Sequence, residues 1–350
     1  MPSKINIIAL LLASNVLFAQ ADSLDDDRNE DSRNARTVSF ALIGDVPYNA
    51  VEAIKFDRVI DRINQDNDVR FVVHMGDIKS GSSTCDDATY VARFNQYQKL
   101  RAPFVYTPGD NEWTDCHRPA AGKFNPVERL QKIRQVFYPN PGFSTGQRTM
   151  RLTTQNTFTG YQTFVENSLW SRGGVTFAMV HVVGSNNNLD PWLGIDATDS
   201  YTTPRADRIA EFTARENASI AWLETIFAEA QRKNSAGVFI SMQADPNFEL
   251  KATDQQRLGF NRFLTKLKDL TLAFKKPVVM THGDSHFFRI DKPMVADTLD
   301  AGKDQLLENF TRVEGFGTPN VHWVKVSVNA RDPNVFMFEQ KLIDENRFIR

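Results

Sequence analysis

The chain has 350 residues, of which 41% are hydrophobic and 24% are charged, as is typical of a globular protein with a sizeable core. Its formal net charge of −2 and its pI near 6.3 give no basic field for a nucleic-acid backbone and no polybasic patch for an anionic membrane. We therefore expect no nucleic-acid partner.

The first 21 residues have the order of a secretory signal peptide. Lys4 is followed by an apolar run over residues 5–17, and the small residues Ala19 and Ala21 follow at the positions of a cleavage site. The apolar run is shorter than the roughly 20 residues of a membrane-spanning helix, and an uncleaved anchor is the alternative. We expect residues 1–21 to be removed, leaving a secreted or periplasmic protein with no stable membrane anchor.

Residues 22–37 are rich in Asp, Arg, Asn and Ser and are predicted to form a disordered acidic leader. Beyond them, apolar runs typical of strands alternate with amphipathic stretches typical of helices. The predicted strands are 38–43, 69–74, 104–107, 175–183, 238–242, 278–280, 321–328 and 335–342. The predicted helices are 51–64, 87–100, 204–233 and 253–272. This rhythm predicts an α/β fold with helices on both faces, closed by an antiparallel pair of strands.

Two details of this pattern concern the surroundings of the strands. In the first predicted helix, Val51, Ile54, Ile60 and Ile63 have the spacing of one face laid on a sheet. Residues 138–173 are rich in Gly, Thr and Asn and show little periodicity, so they could form a long loop over the functional face.

The chain has two cysteines, Cys85 and Cys116. An even number in a chain expected to enter an oxidising compartment favours a disulfide over two free thiols. Closing a loop of that length would stabilise the fold by about 3 to 4 kcal/mol, because it restricts the unfolded chain.

Four predicted strands end in short blocks of glycine followed by an acidic residue, and a fifth ends in Gln243 and Asp245. The four blocks read Ile43-Gly44-Asp45-Val46-Pro47, His74-Met75-Gly76-Asp77, Pro108-Gly109-Asp110-Asn111-Glu112 and His282-Gly283-Asp284-Ser285-His286. One Gly-Asp pair after a strand usually marks a turn. Open α/β sheets place ligand-binding groups just beyond the carboxyl ends of their strands, so the repetition predicts a single shared site.

The order and spacing of these blocks resemble the calcineurin-like metallophosphoesterases over nearly all of residues 38–342. The resemblance implies a sandwich of central β-sheets flanked by helices and makes residues 38–350 the metallophosphoesterase-like domain. It also implies a pair of divalent metal ions bridged by the second aspartate of the set. Carried over by position, the metal ligands are Asp45, Asp77, Asn111, Gln243, Asp284 and His286, with Asp77 as the bridge.

Three imidazoles of the family pattern are replaced here. Pro47 stands in the first block, Gln243 in the fourth and Asp284 in the last, so His286 is the one histidine on a family metal position. The remaining ligand set is dominated by oxygen donors. It therefore favours Mn²⁺, Mg²⁺ or Ca²⁺ over Zn²⁺, and we expect two divalent ions, with Mn²⁺ or Mg²⁺ more suitable than Zn²⁺.

The residue that protonates the leaving group is also changed. The family's third block continues into a histidine, whereas Glu112 follows Asn111 here, and a carboxylic acid needs a raised pKa to donate a proton near neutrality. Glu112 and His282 are the candidate catalytic residues, and His117 competes with them. The resemblance also places Cys85 and Cys116 in loops on the active face, where a bridge would fix Asp77 relative to Asn111.

These features predict an exported metal-dependent phosphoesterase that hydrolyses phosphate esters of a small-molecule substrate with a hydroxide activated by two metals. The alternative is a non-catalytic binding module that keeps the fold and has lost full metal coordination. Pro47 cannot coordinate through its side chain, which weakens one metal position. Gln243 and Asp284 can still coordinate, which favours an altered site over a lost one.

Overall fold

The computed structural model describes residues 37–299 and 303–347. The predicted signal peptide lies outside the described residues, and so does the predicted leader except for Thr37. Among the residues described, no helix combines the length and the apolar character needed to cross a bilayer.

Strands and helices alternate along the chain. The strands are β1 (Val38–Ile43), β2 (Val69–His74), β3 (Phe104–Tyr106), β4 (Thr153–Thr154), β5 (Ser168–Arg172), β6 (Val175–Met179), β7 (Val238–Ser241), β8 (Val278–His282), β9 (Arg289–Asp291), β10 (Val295–Leu299), β11 (Lys303–Leu306), β12 (Phe310–Glu314), β13 (Trp323–Val328) and β14 (Phe336–Lys341). The helices are α1 (Ala50–Gln65), α2 (Asp87–Tyr97), α3 (Pro126–Phe137), α4 (Ala206–Arg232) and α5 (Asn261–Phe274), with short 3-10 turns at Thr114–His117, Pro119–Ala121, Gln155–Thr157, Gln255–Phe260 and Asp344–Asn346.

The strands build two main sheets and one hairpin. A five-stranded sheet has the order β14-β13-β1-β2-β3, a seven-stranded sheet has the order β4-β5-β6-β7-β8-β12-β9, and β10 pairs with β11. Strands β1, β2 and β3 are mutually parallel, as are β6, β7, β8 and β12. The predicted closing pair is present, because β13 and β14 are antiparallel. The predicted α/β fold class is thus confirmed.

The two main sheets pack face to face, and helices cover their outer faces. Because side chains alternate along a strand, Phe40 and Leu42 of β1 point into the core shared with Phe177 and Phe239 of the other sheet. The other face of the first sheet packs under α1, α2 and α3. The seven-stranded sheet packs under α4 and α5. This arrangement brings the carboxyl ends of the parallel strands of both sheets to the same region.

The structure corrects three details of the sequence interpretation. Helix α1 buries Phe56, Val59, Ile60 and Ile63, whereas Val51 and Ile54 are 65% and 60% exposed. The buried face is therefore offset from the predicted one. The predicted helix 253–272 is a 3-10 turn followed by α5, and the predicted loop 138–173 contributes β4 and β5 to the edge of the seven-stranded sheet.

Candidate metal centre

Acidic side chains meet where the parallel strands of the two sheets end. Asp45 follows β1, Asp77 follows β2, Asp110 follows β3 and Asp284 follows β8. Asp45, Asp77 and Asp110 are at most 6% exposed. Their arrangement at one edge is the one that the repeated Gly-Asp blocks predict.

The first ligand group consists of Asp45, Asp77 and His286, whose ligand atoms lie within 4.8 Å of one another. His286 Nε2 lies 3.7 Å from Asp45 Oδ1. Asp45 Oδ1 accepts a hydrogen bond of 2.9 Å from the Asp284 backbone N–H, while Asp45 Oδ2 is buried without a hydrogen-bond partner. A buried carboxylate oxygen without a donor fits a position that faces a cation.

The second ligand group consists of Asp77, Asp110 and Asp284, also within 4.8 Å of one another. Asp77 is common to both groups, which is the position that the sequence predicts for a bridging carboxylate. Asp110 is not among the residues that the sequence interpretation gives as ligands. The signal that could have found it is its place directly after Gly109, which matches the place of Asp45, Asp77 and Asp284 after their glycines.

Asn111 and Gln243 lie beside these groups but present their amide N–H groups to them. Asn111 Nδ2 donates to Asp77 Oδ2 at 2.8 Å. Gln243 Nε2 donates to Asp110 Oδ1 at 3.2 Å, and its oxygen accepts from the Gly184 backbone N–H at 2.7 Å. Their geometry therefore suits holding Asp77 and Asp110 in place, and Asp110 adds a carboxylate to the second group next to the predicted ligand Asn111.

Tyr48 is the other residue at this site that the sequence interpretation leaves without a role. Its hydroxyl donates to Asp77 Oδ2 at 2.9 Å, accepts from Asn111 Nδ2 at 2.9 Å and lies 3.0 Å from His286 Nε2. Its backbone N–H donates to Glu52 in the first turn of α1, at 2.8 Å. The start of α1 thus holds a phenol against both Asp77 and His286.

The backbone at these strand ends is unusual. Asp45, Asp77, Asp284 and His286 have φ values of 53°, 57°, 75° and 60°, in the left-handed region that non-glycine residues rarely adopt. Such conformations cost roughly 1 to 3 kcal/mol each and cluster at functional sites. Four of the five residues in the two ligand groups are strained in this way, and Asp110 is the exception.

Two glycines are required by the close approach of chain segments. A Cβ atom on Gly109 would lie 2.0 Å from Asp77 Oδ1, and one on Gly283 would lie 1.9 Å from Asp45 Oδ2. Any side chain at either position would displace a carboxylate of the cluster. Glycine in these blocks therefore serves the positions of the acidic groups as well as the turns.

Burial raises the free energy needed to ionise the carboxylates of this cluster. Desolvation, opposed by the Asp284 backbone N–H and reinforced by neighbouring carboxylates, raises the pKa of Asp45 well above its ordinary value. Desolvation and the charges of Asp110 and Glu112 do the same to the pKa of Asp77. Lys79, 1% exposed, donates to the Ser80 carbonyl at 2.8 Å, and burial lowers its pKa. A divalent cation would relieve the repulsion among these carboxylates.

Glu112 is predicted as a candidate catalytic acid. Its carboxylate accepts hydrogen bonds mainly from backbone N–H groups. It is 0% exposed, and Oε1 accepts from Tyr106 Oη at 2.6 Å, from the Gly109 N–H at 2.6 Å and from the Asp77 N–H at 3.2 Å. Oε2 accepts from the Ile78 N–H at 3.3 Å. This geometry suits a group that positions Asp77 and Ile78 through their backbone N–H groups.

His282, the second predicted catalytic residue, lies outside the two ligand groups. Its Nδ1 donates to the Gly283 carbonyl at 2.8 Å, and its buried Nε2 has no hydrogen-bond partner and lies near carboxylate oxygens of Asp245 and Glu314. Arg289 already pairs with both of those carboxylates, at 2.6 Å and 2.8 Å. His282 therefore belongs to a neighbouring group of charged side chains, which the Asp245 backbone N–H joins to Asp284 Oδ2 at 3.0 Å. His117, the competing candidate, accepts from the Gly194 N–H through Nδ1 at 3.1 Å.

A disulfide joins Cys85 and Cys116, with a Cα–Cα distance of 5.8 Å. Both cysteines are 0% exposed, in the core below the site. The bridge connects the segment that follows Asp77 to the segment that follows Asn111. The predicted pairing is thus present in the fold.

Comparisons with known proteins place the chain in a family. The profile of the family described as calcineurin-like phosphoesterase matches residues 38–232. No curated protein has a significant sequence match to the chain.

Among solved structures, TT1561 of Thermus thermophilus is similar at 10% identity and a TM-score of 0.44, covering 87% of this chain and 99% of that one. GAP50, described as the anchor in the inner membrane complex of Plasmodium, is similar at 10% identity and a TM-score of 0.45, covering 88% of this chain and 89% of that one. Because the family profile matches more than half of its length, the chain belongs to the calcineurin-like phosphoesterase family.

Proposed function

We propose that this protein is an exported metal-dependent phosphoesterase that hydrolyses phosphate esters with a hydroxide activated by two divalent ions. The observation that carries the proposal is the pair of ligand groups that share Asp77, both formed at the ends of the parallel strands. Membership of a phosphoesterase family supports the reaction class. Phosphoryl transfer needs positioned positive charge more than covalent chemistry from the protein, and a shared carboxylate between two cation positions meets that need.

The donor set fits such ions. Asp45 Oδ2 is buried and accepts no hydrogen bond from the protein. Burial and the neighbouring carboxylates raise the pKa of both Asp45 and Asp77. The two groups offer carboxylates from Asp45, Asp77, Asp110 and Asp284 and one imidazole from His286. Such oxygen-rich sets suit Mn²⁺ or Mg²⁺ better than Zn²⁺.

The residues of the two ligand groups would hold two ions and share one carboxylate. Asp45 and His286 would hold one ion, Asp110 and Asp284 the other, and Asp77 both. Bound ions would supply a water of lowered pKa and neutralise the phosphoryl oxygens. Asn111 and Gln243 would fix the orientation of Asp77 and Asp110 through their amide N–H groups.

Tyr48 is the group best placed to donate a proton. Burial, followed by the charge of Asp77, raises the pKa of Tyr48 well above its ordinary value, and a divalent cation held by Asp77 would lower it toward the range in which a phenol donates a proton. Its hydroxyl also accepts from Asn111 Nδ2 and lies 3.0 Å from His286 Nε2, so three side chains fix its position beside the ligand groups. The predicted acids have other partners: the Glu112 carboxylate accepts from the Gly109 and Asp77 N–H groups, and the His282 ring lies beside Asp245 and Glu314.

Export rests on two features. The order of residues 1–21 is that of a signal peptide. The Cys85–Cys116 disulfide is typical of proteins that fold in an oxidising compartment. We therefore propose a secreted or periplasmic location, which fractionation of the native host would test by recovering the shortened mature chain outside the cytoplasm.

The decisive experiment compares the mature protein with Asp77→Asn. Elemental analysis and hydrolysis of a phosphate monoester and a diester with added Mn²⁺ should show bound metal and turnover that both disappear in the variant. Asp86→Asn is the matched control, because Asp86 caps α2 by accepting from the Thr89 N–H and asparagine caps a helix equally well. A wild-type protein with neither metal nor turnover under any ion would favour the non-catalytic binding module instead.

A further inference from the structure

A pocket adjoins the candidate metal centre through Ser185. It has a volume of 240 Å³, and Ser185, Asp115 and Arg118 are among its lining residues. Ser185 Oγ lies 2.9 Å from Asp110 Oδ2 and 2.8 Å from Asp115 Oδ1. The same hydroxyl therefore borders both the carboxylate cluster and the pocket. An ester with its phosphoryl group at the cluster has this pocket within reach of its leaving group.

The segment that carries Ser185 is held rigidly. Ser185, Asn186 and Asn187 have φ values of 49°, 53° and 55°, which form one turn of left-handed helix. The amides of Asn186 and Asn187 donate to the carbonyls of Gln255 and Gly259, at 2.8 Å and 2.9 Å. A wall fixed by such contacts keeps its shape when a ligand binds, which lowers the entropic cost of binding.

One wall of the pocket is apolar and accessible. Leu193 is 59% exposed and Tyr201 is 45% exposed, and both line the pocket beside Pro191 and the buried Trp192. The Tyr201 hydroxyl donates to Asp190 Oδ1 at 2.6 Å, which fixes the orientation of the ring. Large apolar side chains left open in a concave site are typical of ligand contacts.

The polar side of the pocket carries a guanidinium. The Arg118 side chain is 47% exposed and pairs with Asp115 at 2.6 Å. A guanidinium is planar and stacks on aromatic faces, and an aromatic ring such as that of Tyr201 also prefers another ring as its neighbour. The pocket thus offers two kinds of surface that favour a flat ring.

We infer that this pocket binds a planar aromatic ring in the leaving group of the substrate, an inference that rests on the proposed hydrolase function. The size agrees, because a cavity of about 150 Å³ holds a benzene molecule. A pocket of 240 Å³ accommodates one ring with its linking atoms. The substrate class is then an ester that joins phosphate to an aromatic or heteroaromatic group.

The test compares benzyl phosphate with cyclohexylmethyl phosphate. Both esters break the same kind of bond, and the saturated ring is the more hydrophobic but is not flat. We expect kcat/KM to favour the benzyl ester about fivefold in the wild-type protein, and the ratio to fall to about one in Tyr201→Ala. Tyr201→Phe should keep the preference. Phe143→Ala is the control, because Phe143 is 46% exposed and does not line this pocket.

A binding measurement separates this inference from the hydrolase proposal. Calorimetry with benzylphosphonate and cyclohexylmethylphosphonate, which resist hydrolysis, should show the same preference and the same loss in Tyr201→Ala. Discrimination without turnover of any ester would overturn the hydrolase and support the pocket. Turnover with equal rates for both esters, unchanged in Tyr201→Ala, would overturn the pocket alone.

Discussion

The hydroxyl of Tyr48 donates a hydrogen bond of 2.9 Å to Asp77 Oδ2, across 29 positions of sequence. The same phenol oxygen lies 3.0 Å from His286 Nε2, which is 238 positions away. A phenol is thus fixed between the carboxylate shared by both ligand groups and the histidine of the first group. The first strand-end block lacks a histidine at Pro47, and the next residue supplies a different protic group to the site.

Replacing this phenol should reduce turnover more than metal binding. We expect Tyr48→Phe to lower kcat by about 100-fold, the usual contribution of a positioned proton donor, while bound metal stays near the wild-type amount. Tyr138→Phe is the matched control, since its hydroxyl donates to the Tyr106 carbonyl at the same distance of 2.9 Å. Steady-state kinetics with elemental analysis check both. Equal activity of Tyr48→Phe and the control would contradict a catalytic role for the phenol.

Asp110 and Asn111 are adjacent but should fail in different ways when substituted. Asp110 belongs to the second ligand group, so Asp110→Asn should reduce the bound metal from about two ions toward one. Asn111 donates to Asp77 and Tyr48, so Asn111→Ala should retain metal and lose activity by about 10- to 100-fold. Metal content and kcat measured on both proteins decide the assignment. Loss of one ion in Asn111→Ala, with full occupancy in Asp110→Asn, would restore Asn111 as the ligand.

Glu112→Gln distinguishes a positioning role from an acid role. The carboxylate accepts from Tyr106, Gly109, Asp77 and Ile78, and an amide would turn N–H atoms toward some of these donors. We expect the free energy of unfolding to fall by about 3 kcal/mol, the scale of a buried charged acceptor that is lost. Denaturant unfolding measures it, with the exposed Glu224→Gln as control.

The pH profile supplies the second readout for this variant. A general acid at Glu112 would leave stability unchanged and remove one limb of the kcat–pH profile. A positioning residue would lower stability and leave both limbs in place, with a uniformly reduced kcat. The two roles therefore predict opposite results in the two measurements.

The sequence predicts those site residues whose positions follow directly from the end of a strand. The strand-end positions of Asp45, Asp77 and Asp284 follow from apolar runs that end in Gly-Asp, because parallel strands bring their carboxyl ends together. Asp110 shares that pattern, although the family resemblance points to the neighbouring amide of Asn111. The turn after β3 determines which of these two adjacent side chains presents an oxygen to the cluster. The spacing of apolar residues in the sequence does not predict that choice.

Other features depend on contacts that no local pattern contains. Tyr48 meets His286 only because the start of α1 lies against the loop after β8. The burial of Glu112 under four donors depends on β2 and β3 being neighbours. The offset face of α1 has a similar origin, since the side that carries Phe56, Ile60 and Ile63 packs on the sheet and leaves Val51 and Ile54 exposed.

Stability should also depend on pH through His74, a buried histidine at the end of β2. Burial lowers the pKa of His74 to about 3, from an ordinary value of 6.5. Its Nδ1 accepts from the Gly76 N–H at 3.1 Å, which requires the neutral ring. The unfolded chain binds a proton below about pH 6.5 and the folded chain does not, so the contribution of His74 is fully present above that pH.

As pH falls from about 6.5 toward 3, this contribution should be lost by up to about 1.4 kcal/mol per pH unit. His74→Asn keeps an acceptor for the Gly76 N–H and removes the titration, so its free energy of unfolding should decline less steeply over that window. The variant should be less stable at pH 7, because the imidazole packs against Tyr97 and Phe104. The raised carboxylates of the cluster act in the opposite direction in both proteins, so the difference between the two curves isolates His74. Curves that run parallel from pH 7 to pH 4 in denaturant titrations would mean that His74 is protonated in the folded protein as readily as in the unfolded one.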